Sequence, residues 1–146
     1  MILYLDTSAL VKRYIRETYS DDVLDLMNHA DFIGASILTK VEMAAAFAKA
    51  ARLGWVSNDT ARQSWQDFID EWPNFTRLSF STALLDRASI LAWDDELRGY
   101  DAMHLASAII WQETLGAPIT LATFDRNLWL AGVKEQLQVW PGGLYI

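Results

Sequence analysis

Two aspartates follow short apolar segments that are typical of buried strands. Asp6 comes directly after Ile2–Leu5, and Asp125 follows Ile119–Ala122 after two intervening residues. Continuous apolar runs of this length indicate strands covered on both faces of a parallel sheet. Ligands of such sheets bind at the carboxyl ends of the strands. Each aspartate is therefore a candidate ligand or catalyst, although a lone Asp in this position more often caps the helix that follows.

Two further carboxylates lie in helical segments whose other residues are largely apolar. We expect a helix from Ser36 to about Leu53 with positions 38, 41, 45 and 48 facing inward, which places Glu42 inside the buried stripe. A buried carboxylate is costly unless it is paired, hydrogen-bonded or bound to a metal, and a core Lys or Arg would serve as well as a metal. Asp101 lies in the first turn of a nearly all-apolar helix over Gly99–Leu115, where the helix dipole alone favours an anion.

If these four carboxylates converge at one edge of the sheet, they need a positive counter-charge, because carboxylates placed close together do not all stay ionised. Oxygen ligands suit Mg²⁺ or Mn²⁺, which keep several waters and bind phosphates, so the pattern favours metal-assisted cleavage of a phosphodiester. The net charge of −7 opposes binding of a polyanion unless bases gather locally. The candidates for such a patch are Lys12, Arg13, Arg16 and Arg126. Solvated helix faces would account for these bases equally well.

The composition limits the remaining possibilities. At 146 residues with 52% hydrophobic content, the chain is long enough for a single packed domain over 1–146. The absence of cysteine excludes thiol catalysis, thiolate metal sites and disulfides. No apolar run approaches the roughly 20 residues that span a bilayer, and the N-terminus lacks the features of a signal peptide. We therefore expect a cytoplasmic protein with no membrane partner.

Segments with strand and helix patterns alternate along the chain, which predicts a parallel sheet covered by helices on both faces. The fold class is therefore α/β, a three-layer α/β/α arrangement with a central parallel sheet of about five strands. The predicted strands are Ile2–Leu5, Phe32–Ala35, Phe75–Leu78, Ile119–Ala122 and Leu137–Trp140. The predicted helices are Ala9–Arg16 with Thr7 and Ser8 as caps, Tyr19–His29, Ser36–Leu53, one from Ser57 to just before Pro73, Ser81–Trp93, Gly99–Leu115 and Asp125–Leu130.

Four motifs occur together in a set order along the chain. They are Asp6-Thr7-Ser8-Ala9-Leu10, Glu42 in the helix after the second strand, the segment 100–106 (Tyr-Asp-Ala-Met-His-Leu-Ala), and Thr123-Phe124-Asp125-Arg126. Each motif is weak alone, but the set covers essentially the whole chain and resembles a PIN domain, more narrowly the VapC-type toxin ribonucleases of toxin–antitoxin pairs. The resemblance implies a PIN-like fold and an endoribonuclease that uses Mg²⁺ or Mn²⁺ and a metal-activated water to hydrolyse RNA phosphodiesters. It also implies a homodimer and a small cognate antitoxin.

The resemblance further assigns roles to individual residues. Those expected to act in catalysis are Asp6, Glu42, Asp101 and Asp125, of which the three aspartates match metal-holding positions. Those expected to support the site or touch the substrate are Thr123, Ser8, His104 and Arg126. His104 follows Asp101 by one turn and could bind it, but a supporting histidine is the more frequent case. Ala122 and Phe124 stand where some relatives carry a further acidic residue, which counts against a fully occupied second metal site.

Other functions stay open at this stage. A phospho-accepting receiver module also gathers acidic residues around Mg²⁺, but it would need an Asp closing the third strand and a Lys closing the fifth, and this chain has neither. A non-catalytic binding module is the third possibility, because fold alone does not determine function.

Three tryptophans, Trp55, Trp65 and Trp72, could line a groove for the antitoxin or the dimer partner. Core packing alone would explain Trp65 and Trp72.

Overall fold

The computed structural model describes residues 1–146 and contains a five-stranded, fully parallel sheet. The strands are β1 (Ile2–Leu5), β2 (Phe32–Ser36), β3 (Thr76–Leu78), β4 (Ile119–Ala122) and β5 (Gln138–Trp140). Their order is β3-β2-β1-β4-β5, so β1 is central and pairs with β2 on one side and β4 on the other. The predicted α/β fold with a central parallel sheet is confirmed, and each strand lies within one residue of its predicted bounds.

Helices cover both faces of the sheet. They are α1 (Thr7–Tyr14), α2 (Ser20–Asn28), α3 (Thr39–Arg52), α4 (Asn58–Glu71), α5 (Thr82–Asp94), α6 (Gly99–Leu115) and α7 (Arg126–Lys134), with a 3₁₀ turn at Trp72–Asn74. One core cluster gathers side chains of α5, α6 and α7 around Tyr4, and the other gathers side chains of α1, α3 and α4 around Leu3 and Leu5. None of these helices combines the length and the hydrophobicity that crossing a membrane requires.

The central strand β1 is buried on both faces because its side chains alternate. Leu3 and Leu5 face one core cluster and Tyr4 faces the other, and all three are 0% exposed. On the Tyr4 side, α6 crosses very close to the neighbouring strand β2, where a Cβ added to Gly34 would lie 2.6 Å from the Trp111 ring. Gly34 therefore determines how closely α6 approaches the sheet.

The prediction for α3 is wrong in its start and in its inward face. The helix begins at Thr39, because Ser36 is still part of β2. Its buried residues are Thr39, Met43, Phe47 and Ala50, whereas positions 41, 45 and 48 are exposed. Alanines on both sides of this helix make two stripes equally apolar in the sequence. The stripe with the larger side chains Met43 and Phe47 is the one that packs against the core. Glu42 therefore lies beside the buried stripe, with 23% of its side chain exposed.

The helix α7 is longer than predicted. It runs to Lys134 rather than ending at Leu130. Gly132 lies inside the extension and brings the helix backbone against the sheet, because a Cβ at this position would come within 3.0 Å of Leu121 and Val139. This glycine allows close packing rather than ending the helix.

Candidate active site

The chain changes direction across the sheet next to β1. From β1 it proceeds outward to β2 and β3, and it then returns to β4 on the other side of β1. A crevice at such a switch point is the usual ligand site of an open α/β sheet. The pairing of Leu5 with Ala122 brings the next residues, Asp6 and Thr123, side by side. The sheet topology thus places Asp6 and the segment after β4 at one crevice.

Asp6 is 4% exposed and accepts three hydrogen bonds. The Ala9 N–H (3.0 Å) and the Ser8 hydroxyl (2.7 Å) donate to Oδ1, and the Thr123 hydroxyl (2.8 Å) donates to Oδ2. Asp6 is therefore the N-cap of α1, and the prediction that the two hydroxyl residues after it cap this helix is wrong. Burial raises the pKa of Asp6, and the nearby His104 and the three donors oppose that rise.

Thr123 and Ser8 join the loops that follow β4 and β1. The buried Thr123 hydroxyl accepts the Asp125 N–H at 3.0 Å, and Ser8 Oγ accepts the Phe124 N–H at 2.8 Å. Asp125 in turn caps α7, because its Oδ1 accepts the Leu128 N–H at 2.9 Å. Thr123 thus contacts both strand-end aspartates, whereas Ser8 contacts Asp6 and the backbone of Phe124. Asp125 Oδ2 is left for contacts outside the helix.

Asp101 is linked to Asp125 through a residue that the sequence analysis missed, Arg98. The Arg98 Nε–H donates to Asp101 Oδ2 at 3.1 Å, and the Nη2–H donates to Asp125 Oδ2 at 3.2 Å. Burial and the charge of Asp125 raise the pKa of Asp101, and the Arg98 guanidinium opposes that rise. The signal that could have found Arg98 is its place three residues before Asp101 at the start of α6, where i,i+3 charge pairs form.

Glu42 is held by donors from two other elements. The Thr7 hydroxyl donates to Glu42 Oε1 at 3.0 Å, and His104 Nε2 lies 2.5 Å from the same oxygen. On its other side, His104 Nδ1 lies 2.8 Å from the Tyr4 hydroxyl, so the imidazole bridges β1 and α3. The structure places His104 behind Glu42 and gives it no hydrogen bond to Asp101. Tyr4 and Thr7 are not recognisable from the sequence as supports of the site, because an apolar strand position and a capping hydroxyl carry no signal of their own.

The pKa of His104 reflects opposing effects. Burial lowers it, whereas the hydrogen bond to Glu42 and the charges of Asp6, Glu42 and Asp101 raise it, and the net shift is upward. The imidazole therefore keeps its proton to a higher pH than a free histidine does. Its position makes it an internal counter-charge for the three carboxylates around it.

The donor set suits a hard divalent cation, although the side chains do not form a closed site. As they stand, no three acidic or histidine side chains lie close enough together to hold a metal ion. Asp6 Oδ2 nevertheless has only one donor, and Asp101 and Asp125 already share a positively charged group. That group, the Arg98 guanidinium, is 77% exposed. Carboxylate oxygens arranged around a displaceable positive charge match the ligands that Mg²⁺ and Mn²⁺ prefer.

Of the two readings that the sequence left open for the four bases, the structure favours solvated helix faces over a local phosphate patch. Lys12, Arg13 and Arg16 are each paired with an acidic residue, namely Glu17, Glu71 and Asp21. The Lys12 ammonium also lies 4.5 Å from the centre of the Phe124 ring. Arg126 is exposed and takes part in none of the ion pairs. Of the four predicted bases, only Arg126 keeps an uncommitted charge beside the site.

The chain matches the family model of the PIN domain over residues 3–133. It is also similar to two proteins of Mycobacterium tuberculosis, Ribonuclease VapC45 of strain CDC 1551 / Oshkosh and Ribonuclease VapC49 of strain ATCC 25618 / H37Rv. Each is 33% identical over 144 residues, which are 98% of this chain and 97% of the relative. The chain therefore belongs to the PIN domain family. Within that family it is of the VapC type, as the four motifs indicated.

Solved structures share the fold. The structure of VapBC2 from Rickettsia felis, bound to a DNA fragment from their promoter, matches with a TM-score of 0.62 and 17% identity over 95% of this chain and 97% of that chain. PAE2754 from Pyrobaculum aerophilum matches with a TM-score of 0.62 and 26% identity over 90% of this chain and 87% of that chain. A toxin–antitoxin complex from Klebsiella pneumoniae matches with a TM-score of 0.61 and 17% identity over 84% and 86% of the two chains.

Proposed function

We propose that this chain is a divalent-metal-dependent endoribonuclease and the toxin of a toxin–antitoxin pair. The observation that carries the proposal is the buried Asp6 carboxylate at the switch point between β1 and β4, to which Thr123 and Arg98 join Asp125 and Asp101 by hydrogen bonds. The fourth carboxylate, Glu42, is hydrogen-bonded to His104, and the charges of Asp6 and Asp101 also act on that imidazole. The relatives named Ribonuclease VapC support the activity, because they align with nearly the whole chain.

Asp6, Asp101 and Asp125 are the residues that would hold Mg²⁺ or Mn²⁺. Such a cation supplies positive charge that polarises a phosphodiester and makes an attacking water more acidic. Asp6 is the rigid member of the set, because three donors orient its carboxylate and its spare acceptor capacity is at Oδ2. Asp125 uses Oδ1 to cap α7. The remaining Oδ2 of Asp125 and Oδ2 of Asp101 both accept from the exposed Arg98 side chain, which a cation could displace.

We assign to Glu42 the role of accepting a proton from the attacking water. Both of its donors, Thr7 and His104, contact Oε1, which leaves Oε2 without a protein donor. Glu42 also lines a cleft of about 350 Å³, together with Arg98, Gly99, Tyr100 and Asp101. A water in this cleft can therefore transfer its proton to Oε2 while His104 and Thr7 hold the carboxylate in place. His104 acts as a positioning residue, since it reaches the cleft only through Glu42.

The proposal includes a small antitoxin that binds the chain. Similar solved structures are described as a toxin–antitoxin complex and as VapBC2. An apolar groove of about 470 Å³ between α3 and α4 offers a docking surface, and its lining includes Phe47, Trp65 and Arg62. Two arginines in its lining, Arg52 and Arg62, favour a segment with both apolar and acidic side chains. Of the three tryptophans that could line a groove, Trp65 lines this one, Trp72 packs in the core and Trp55 lies outside it.

We also propose that the chain forms a homodimer. The outer face of α5 carries Leu85, Ile90 and Trp93, which are 48%, 58% and 87% exposed. Apolar surface of this kind is commonly covered by a partner, and a second copy of the chain would provide one.

The test is cleavage of end-labelled RNA with Mg²⁺, with Mn²⁺ or with EDTA, followed by mapping of the fragment ends. Attack by water is expected to leave 5′-phosphate and 3′-hydroxyl ends, whereas attack by the 2′-hydroxyl gives 2′,3′-cyclic phosphates. We expect cleavage only with a divalent cation and its loss in Asp101→Asn. The matched control is Asp59→Asn, which changes another acidic residue in the first turn of a helix and should cleave like the wild type. Cyclic phosphate ends, or full activity in EDTA, would overturn the proposal.

A further inference from the structure

Arg98 connects two of the proposed metal ligands that come from different elements. It is the residue before α6, and its side chain does not cap that helix. Instead, Nε–H and Nη2–H donate separately to Asp101 Oδ2 and Asp125 Oδ2. A cation held by these two aspartates would need the same two carboxylates. The guanidinium and a divalent cation would therefore compete for them.

The bridge formed by Arg98 is easily broken. The Arg98 side chain is 77% exposed, whereas Asp101 and Asp125 are 13% and 24% exposed. Its two contacts, at 3.1 and 3.2 Å, are longer than the roughly 2.7–2.9 Å of strong charge-assisted hydrogen bonds. Exposed ion pairs contribute little net free energy, because water screens them and the long side chain loses entropy. A divalent cation, with twice the charge, is a strong competitor for these oxygens.

A guanidinium displaced from the aspartates would have space to move and could bind a phosphate of the RNA. Arg98 lines the same cleft as Glu42 and Asp101. At Gly99 on the same rim, no atom lies within 4 Å of where a Cβ would be, so the backbone there is open. RNA bound beside the aspartates would bring phosphates to this cleft, and Arg binds phosphate well because its planar fork of N–H donors fits the oxygens.

We propose that Arg98 is a built-in counter-ion that competes with the divalent cation for Asp101 and Asp125 and that, once displaced, binds a phosphate of the RNA. The inference rests on the proposed function, since it assumes that these aspartates hold a cation. It assigns to one side chain two successive partners, a carboxylate pair and then a phosphate. It also gives the two aspartates a partial counter-charge before a cation binds, in a chain of net charge −7.

The first measurement is the affinity for Mn²⁺ by isothermal titration calorimetry, without RNA. We expect Arg98→Gln to bind Mn²⁺ about three- to tenfold more tightly than the wild type, because it removes a competitor worth one or two exposed ion pairs. Arg98→Lys keeps the positive charge but cannot donate to both carboxylates at once. Its affinity for Mn²⁺ should therefore lie between those of the wild type and Arg98→Gln. The matched control is Arg126→Gln, which removes a positive charge one residue from Asp125 without breaking an ion pair, and its affinity should change less than twofold.

The second measurement is the affinity for a fluorescent single-stranded RNA by anisotropy at saturating Mn²⁺. All variants are combined with Glu42→Gln, which removes the proposed proton acceptor so that the RNA stays intact. Arg98→Gln should bind this RNA about three- to tenfold more weakly than the protein with Arg98, because it lacks the phosphate contact. The substitution is thus expected to strengthen Mn²⁺ binding and to weaken RNA binding. A purely structural role of Arg98 would not tighten Mn²⁺ binding while weakening RNA binding.

The possible results separate the inference from the function on which it rests. If the wild type and every variant fail to bind Mn²⁺, the metal-dependent function itself is wrong. If the wild type binds Mn²⁺ and Arg98→Gln binds it no more tightly than Arg126→Gln does, only the counter-ion role is overturned. If Arg98→Gln binds RNA as tightly as the wild type does, the proposed contact between Arg98 and an RNA phosphate is wrong. Thermal melting of each variant in EDTA confirms that the fold is intact.

Discussion

Replacing Thr123 with Val removes one buried hydroxyl while nearly preserving the shape of the side chain. The hydroxyl is the only protein donor to Asp6 Oδ2, and it accepts the Asp125 N–H. Loss of a hydrogen bond to a charged group costs about 1.5–3 kcal/mol, and a buried N–H without an acceptor costs about 1–3 kcal/mol. We therefore expect Thr123→Val to lower the free energy of unfolding by about 2.5–6 kcal/mol. Thr123→Ser keeps the hydroxyl and should lose only about 1 kcal/mol for the deleted methyl group.

The assay is urea unfolding in EDTA at constant pH, extended to a double-mutant cycle with Asp6→Ala. In the Asp6→Ala background no side-chain acceptor is left for the Thr123 hydroxyl, so Thr123→Val should cost only the orphaned Asp125 N–H, about 1–3 kcal/mol. The difference between the two backgrounds gives a coupling of about 1.5–3 kcal/mol. The reasoning is refuted if Thr123→Val and Thr123→Ser are equally stable, or if the cost of Thr123→Val is the same in both backgrounds.

Three further outcomes follow from the contacts described above. The raised pKa of His104 adds stability that is complete below pH 6.5 and is lost as the pH rises through that raised pKa, so His104→Gln should flatten the fall in unfolding free energy above pH 6.5. Gly34→Ala should destabilise by about 1–3 kcal/mol in urea unfolding, because its methyl group would overlap the Trp111 ring. Mg²⁺ at 100 times its dissociation constant should stabilise the wild type by about 2.7 kcal/mol in thermal melts, whereas Asp6→Asn should gain far less.

Much of the fold was predictable because its signals are local. The apolar runs at Ile2–Leu5 and Ile119–Ala122 are long enough to indicate buried strands and are followed by helix starts. The inward face of α3 was not predictable in the same way, since its many alanines leave the hydrophobic periodicity undefined. Met43 and Phe47 pack because they fill volume against the sheet, and sequence periodicity does not measure volume.

The candidate site also combines features that the local sequence predicts with features that depend on packing. The strand-end positions of Asp6 and Asp125 are local features, and the parallel sheet brings them to one edge. The contact of Arg98 with Asp125 spans 27 residues and depends on how α6 and α7 pack, which no short motif encodes. Likewise, Tyr4 belongs to an apolar strand by pattern, and its hydrogen bond to His104 follows only from the close crossing of α6 over the sheet.

The most direct test of the account is the position of a bound cation. A crystal of the wild-type protein grown or soaked with Mn²⁺ should show an anomalous-scattering peak, measured near the manganese absorption edge, that lies between the carboxylates of Asp6, Asp101 and Asp125. In the same crystal the Arg98 guanidinium should have left Asp101 and Asp125. The peak should be absent from Asp6→Asn crystals treated in the same way. A wild-type crystal without a peak at these carboxylates, or with manganese bound only elsewhere, would contradict the proposed metal site and the mechanism built on it.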